Sequence, residues 1–121
     1  MLADALKWVG SLVTPLGKVA YVQYADPKRN AQVVVEPSGY RREWYSAALR
    51  RHILKVRVSV TINEARDELA AADKGWRLCN LLDHKQNQTF QTRLPQHGTW
   101  TETEAGRTFN LEVEVTWNAN P

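Results

Sequence analysis

The clearest periodicity in the chain runs from His52 to Ile62, where Leu54, Val56, Val58, Val60 and Ile62 alternate with Lys55, Arg57, Ser59 and Thr61. Side chains two residues apart share one face of a strand, so the pattern predicts a strand buried on one side and solvated on the other. Burying each of these apolar side chains contributes about 1.5–3 kcal/mol before conformational entropy is charged, which specifies the register strongly. The last segment repeats the pattern, with Phe109, Leu111, Val113, Val115 and Trp117 inward and Thr108, Asn110, Glu112, Glu114 and Thr116 outward. The two outward faces are opposite in sign, Lys55 and Arg57 against Glu112 and Glu114. Opposite charges across neighbouring strands contribute a few tenths to about 1 kcal/mol, which predicts that the two pair antiparallel.

Other segments carry weaker signals. Leu2, Leu6, Val9 and Val13, with Ala5, Trp8 and Leu12 beside them, recur as on a short amphipathic helix that Pro15 and Gly17 stop. "KVAYVQY" (18–24) and "AQVVVE" (31–36) read as strands joined by the turn "DPKRN", the pattern of a hairpin, with Pro37, Ser38 and Gly39 ending the second. Residues 63–85 predict a central amphipathic helix: Asn63 caps it, Glu64, Asp67 and Glu68 suit its first turn, and Leu69, Ala72, Trp76, Cys79 and Leu82 or Asp83 recur as its stripe. Gly75 weakens the middle by about 1 kcal/mol relative to alanine, a cost that close packing would offset. "QTFQTRL" (88–94) reads as a strand ended by Pro95 and Gly98, and "TWTETEAGRTFNLEVEVTW" as a hairpin turning at Glu104, Ala105 and Gly106. The expected fold is α+β: one domain over residues 1–121, a mostly antiparallel sheet with the N-terminal and central helices packed on one face.

Composition narrows the class. A chain of 121 residues, 43% hydrophobic and 24% charged, suits one folded domain and makes disorder or a coiled coil a poor fit. Cys79 is the only cysteine, so no internal disulfide or cysteine zinc cluster can form, which suits a reducing compartment. The first residues lack the basic start and apolar run of a signal peptide, and no stretch approaches the roughly 20 apolar residues of a membrane span. A cytosolic protein with no membrane partner is expected.

His52, His84 and His97 stand far apart, and neither a metal-ligand spacing, a nucleophile elbow nor a phosphate-binding glycine loop occurs. Alternating acids such as Glu112 and Glu114 read as a solvated strand face, and Cys79 on an apolar stripe reads as a small hydrophobe. The expectation is a non-enzyme without cofactor or metal. Asn87-Gln88-Thr89 matches the glycosylation triplet, which has no meaning without secretion.

One stretch resists assignment to the core. The net charge is only +3, yet Arg41, Arg42, Arg50, Arg51, Lys55 and Arg57 fall between positions 41 and 57 against the single acid Glu43. Within this region "YRREWYSAALRR" (40–51) sets Tyr40, Trp44 and Tyr45 among four arginines on what reads as a connector. Tyr, Trp and Arg are the residues enriched at the centres of protein interfaces. The same mixture can stack bases and hold phosphates, so a small basic nucleic-acid-binding domain is the alternative. The candidate interface comprises Tyr40, Arg41, Arg42, Trp44, Tyr45, Arg50 and Arg51, with Glu102 and Glu104 as acidic counterparts on a neighbouring subunit.

The order of elements resembles the tail terminator proteins of long-tailed bacteriophages, a resemblance shared with other tail-completion and neck subunits. It covers nearly the whole chain: the N-terminal helix, the "VVVEPSG" strand, a polar excursion, "HILKVRVSVTI", "NEARDELAAADKGWRLCNLL" and the closing "TWTETEAGRTFNLEVEVTW" hairpin. The resemblance implies a structural protein that forms a ring, expected to be a hexamer, that caps the tail tube and offers a head-docking surface. Its implied partners are copies of itself, the tail tube protein and a head-completion or neck protein, with non-specific DNA contact as a further use of the arginines. Its implied place is the tail or neck of a virion assembled in the host cytoplasm. A closed ring joins two different patches of each subunit, and the aromatic and arginine stretch is a candidate for one of them.

Overall fold

Alternation and helical periodicity produce the two long strands and the N-terminal helix where expected, and the remaining elements depart in instructive ways. The computed structural model describes residues 2–21, 32–44, 50–62, 68–94, 98–103 and 106–119. In chain order these are α1 (Leu2–Val13), a 3-10 turn (Thr14–Leu16), β1 (Lys18–Ala20), β2 (Gln32–Trp44), β3 (Arg50–Ile62), α2 (Glu68–Leu82), β4 (Gln91–Arg93), β5 (Thr99–Thr103) and β6 (Gly106–Ala119). The protein is thus mixed α+β, with one six-stranded, mostly antiparallel sheet and two helices. The sheet runs β1-β2-β3-β6; β5 and β4 then lie along the first and later parts of the far edge of β6.

The pairing of β3 with β6 is antiparallel and places Lys55 opposite Glu114 and Arg57 opposite Glu112, as their charges predicted. The same register aligns His52 with Trp117, Leu54 with Val115, Val56 with Val113, Val58 with Leu111 and Val60 with Phe109. These residues face a single core with Val33 and Val35 of β2, Ala5, Val9 and Val13 of α1, and Leu78 and Leu82 of α2. The opposite face of the sheet is mostly polar, with Val34 and Ile53 as its buried apolar residues, and is tied by Ser59–Asn110 and Thr61–Thr108 hydrogen bonds of 2.8 and 3.0 Å.

Three expectations need correction. First, the expected hairpin of residues 18–36 is a parallel pair, Val19 opposite Val33. Tyr21 leaves the strand to press its hydroxyl end against Gly10 of α1, and eleven residues then separate β1 from β2, close to the dozen a parallel crossover needs. The turn "DPKRN" and residues 22–24 lie outside the described residues. Second, β2 does not end at Pro37–Gly39. It continues to Trp44 across a bulge, with Pro37 opposite Val56 and Gly39 opposite Lys55. The extra residue, Ser38, donates to Glu112 at 2.9 Å, and such irregularities are how a strand accommodates proline.

The third correction concerns the central helix. Of the expected stripe, Leu69 and Trp76 are among the most exposed large apolar residues, at 82% and 67%, and Ala72 is exposed too, whereas Leu82 is buried and Cys79 packs against the core; Gly75 and Leu78, outside that stripe, are buried. The buried positions recur at steps of three and four, so the helix is turned from the expected orientation. Gly75 explains it: a Cβ there would stand 2.9 Å from Trp100 Cζ2 and 3.3 Å from Phe109 Cδ2, so two rings occupy the place of its side chain. Asn63, Glu64 and Asp67 lie outside the described residues. Thr92, buried on β4, fixes the other end of the helix: its hydroxyl donates to the Leu82 carbonyl at 2.5 Å and accepts from the Lys85 amide at 2.8 Å.

Candidate interaction arm of β2 and β3

The described parts of the stretch from Tyr40 to Arg51 are strand, not connector. Tyr40–Trp44 and Arg50–Arg51 are the paired ends of β2 and β3, with Tyr40 opposite Leu54, Arg42 opposite His52 and Trp44 opposite Arg50. Strand alternation then sorts its side chains. Tyr40, Arg42, Trp44, Arg50 and His52 stand on the face that carries the core and helices; Arg41, Glu43 and Arg51 stand on the polar face. Tyr45 lies outside the described residues.

On the core-side face the apolar interior gives way to a run of rings. Trp8 of α1 stacks on Phe90 with centroids 5.7 Å apart, Phe90 meets Trp117 edge-on at 5.5 Å, Trp117 stacks on His52 at 5.2 Å, and His52 on Tyr40 at 5.9 Å. The Tyr40 hydroxyl also lies 2.5 Å from Nδ1 of His52. Removal from water among these rings, and then the guanidiniums of Arg42 and Arg50, lower the His52 pKa below its ordinary 6.5. Beyond the rings the Arg50 guanidinium lies 4.3 Å over the indole of Trp44, a geometry worth about 0.5–1 kcal/mol at an exposed site. Arg42, Glu43, Trp44 and Arg50 line a shallow cleft there.

The tip is open. Tyr40 is 44% and Trp44 66% exposed. Its charges are unevenly satisfied: Glu43 binds Arg41 at 3.1 Å, which leaves Arg42 and Arg50 without a carboxylate partner among the described residues. The Arg50 Nε is moreover buried with no acceptor among the described residues. On the polar face Arg41, Arg51 and Arg93 line a separate groove with His84 and Gln91.

The acids expected to receive this arm lie elsewhere. Glu102 is opposite Arg107 at the far end of the sheet and binds it at 3.0 Å; Glu104 lies outside the described residues. Glu112 and Glu114 are aligned with Arg57 and Lys55 of their own sheet. Sequence reasoning missed His52 because its role comes from the ring opposite it, and it missed the split of the arginines because the bulge conceals the alternation. It also passed over Asn87, whose Oδ1 accepts from the Thr89 and Phe90 amides at 2.8 and 2.6 Å and so builds the turn before β4.

Elsewhere chemistry is sparse. Burial first, and then Asp83, raise the Cys79 pKa, which keeps the thiol protonated. Among the described residues no cluster of three or more His, Cys, Asp or Glu side chains is placed to hold a metal ion, and no helix is long and apolar enough to cross a membrane. No family model matches the chain, and no curated protein matches it.

Proposed function

We propose that this protein is a structural subunit that works by docking on other protein chains, first of all copies of itself, through the β2–β3 arm. The observation that carries the reading is the exposed Trp44 capped by the Arg50 guanidinium, with neither Arg42 nor Arg50 paired to a carboxylate among the described residues. Aromatic and arginine side chains are the usual anchors of protein interfaces, and a carboxylate on a partner pairs with a guanidinium that has none of its own. The central helix packed on one side of the sheet leaves this end of the same face uncovered.

The order of elements supports the more specific form of the proposal, a ring-forming subunit of the tail terminator kind. In that form a ring of six copies caps a phage tail tube and presents a surface to the head or neck, and the protein resides in the tail or neck of a virion. Arm and Glu102 stand at opposite ends of the sheet, which suits the head-to-tail contacts of a closed ring. Light scattering across concentration tests the reading: the parent chain reaches the mass of a multimer, alone or on added tail tubes, and Trp44→Ala lowers it. A monomeric parent that ignores tubes overturns the proposal.

A second reading is favoured by the groove on the polar face in which Arg41, Arg51 and Arg93 outnumber the carboxylates of Glu43 and Glu114, which gives the arm cations on both sides. In that reading single-stranded DNA stacks on the exposed rings and its phosphates meet the arginines. It predicts salt-sensitive binding that fades when Arg41, Arg42, Arg50 and Arg51 become alanine; no binding at low salt removes it.

A further inference from the structure

A head-to-tail contact requires a receiving surface, and of the acids first expected to form it Glu102 is engaged within the chain while Glu104 lies outside the described residues. The far end of the same sheet face offers another. Trp100 of β5, opposite Phe109, packs over Gly75 of α2 and remains 40% exposed, and Trp76, the next helical residue, is 67% exposed. One turn before Trp76, Asp73 stands exposed on the same side of the helix. Its carboxylate forms no ion pair or side-chain hydrogen bond among the described residues, although Lys74 and Arg77 are close in sequence.

The chain therefore carries two incomplete surfaces of complementary character. One presents Tyr40 and Trp44 with the guanidiniums of Arg42 and Arg50; the other presents Trp76 and Trp100 with the carboxylate of Asp73, and none of these three charged groups has an opposite charge as partner among the described residues. They cannot meet within one molecule. His52 and Val60, which mark the two ends on β3, are separated by roughly 26 Å at about 3.3 Å per residue.

We infer that the occupant of the arm is a second copy of this chain, whose Asp73 enters between Arg42 and Arg50 while its Trp76 and Trp100 pack on Trp44 and Tyr40. The inference rests on the self-association proposed above and names its contact. Arginine suits a carboxylate because its planar fork donates two hydrogen bonds to one acceptor group. The contact joins different patches, so each copy gives its arm to one neighbour and receives another.

Charge exchange tests the pairing, read by sedimentation velocity with circular dichroism as the control for folding. Arg42→Glu/Arg50→Glu places acids against Asp73, and Asp73→Arg places a cation against the arm. Like charges across an interface are strongly unfavourable, so each variant alone loses association by roughly a hundredfold or more. Mixed together, they reassemble, because every contact in an alternating assembly is again between opposite charges; a single chain carrying all three substitutions reassembles too. A parent that assembles while Asp73→Arg assembles equally well leaves self-association standing and overturns this contact. Failure of both the mixture and the triple variant to reassemble overturns it as well, and a parent that stays monomeric at every concentration overturns the assembly and the contact together.

Discussion

His84 follows the last turn of α2 with a φ of 49°, the left-handed conformation that ends many helices and that glycine adopts without a Cβ penalty. His84→Gly should therefore stabilise the protein by about 0.5–1 kcal/mol, the relief of the left-handed strain less the added freedom of the unfolded chain, seen as a higher urea midpoint. Gly98 argues the reverse. The sequence presents it as turn punctuation, yet a Cβ there would fall inside the Phe109 ring, which is buried against Trp100 with centroids 4.8 Å apart. Gly98→Ala should cost on the order of 2–3 kcal/mol because the ring has no free volume into which to move. His52 titrates in a defined direction. Its folded-state pKa lies below the ordinary 6.5, so the unfolded chain takes up the proton first, and the stability present above about pH 6.5 falls as the pH drops through the folded-state value. Unfolding midpoints between pH 8 and 5 should show that loss, and His52→Gln should flatten it.

Among the elements, β3 and β6 were legible because each repeats a period of two over many residues, and their opposite charges even predicted the partner. β2 was cut short for a physical reason. Its core-facing residues are Val33, Val35 and Pro37 before the bulge and Tyr40, Arg42 and Trp44 after it, so the parity of the alternation changes at Ser38 and the pattern looks broken. The stripe of α2 was misread because the tightest packing falls on Gly75, and a glycine carries no hydrophobic signal. Nor does the sequence reveal that Thr92 holds the end of that helix. Thr92→Val preserves the side-chain shape but removes the hydroxyl that serves the Leu82 carbonyl and the Lys85 amide. It should cost about 1–3 kcal/mol, the penalty for leaving a buried polar group unsatisfied, measured by thermal or urea unfolding.

At the scale of the whole molecule, the sheet is longer than the core the helices make with it. The strands of β2 and β3 carry aromatic and cationic residues past that core, and the opposite end carries Trp76, Trp100 and Asp73 in the open. The concentration of rings and arginines was visible in the sequence; that Tyr40, Arg42, Trp44 and Arg50 share one face while Arg41 and Arg51 share the other required the strand register. Exposed aromatic surface of this kind gains its stability from association, since removing it from water returns about 25 cal/mol per Å² of apolar area. The decisive measurement is the weight-average mass from sedimentation equilibrium over a wide range of concentration, for the parent chain and for Trp44→Ala. The docking account predicts a multimer for the parent and a shift to the mass of one chain for the variant; a parent that keeps the mass of one chain throughout contradicts it.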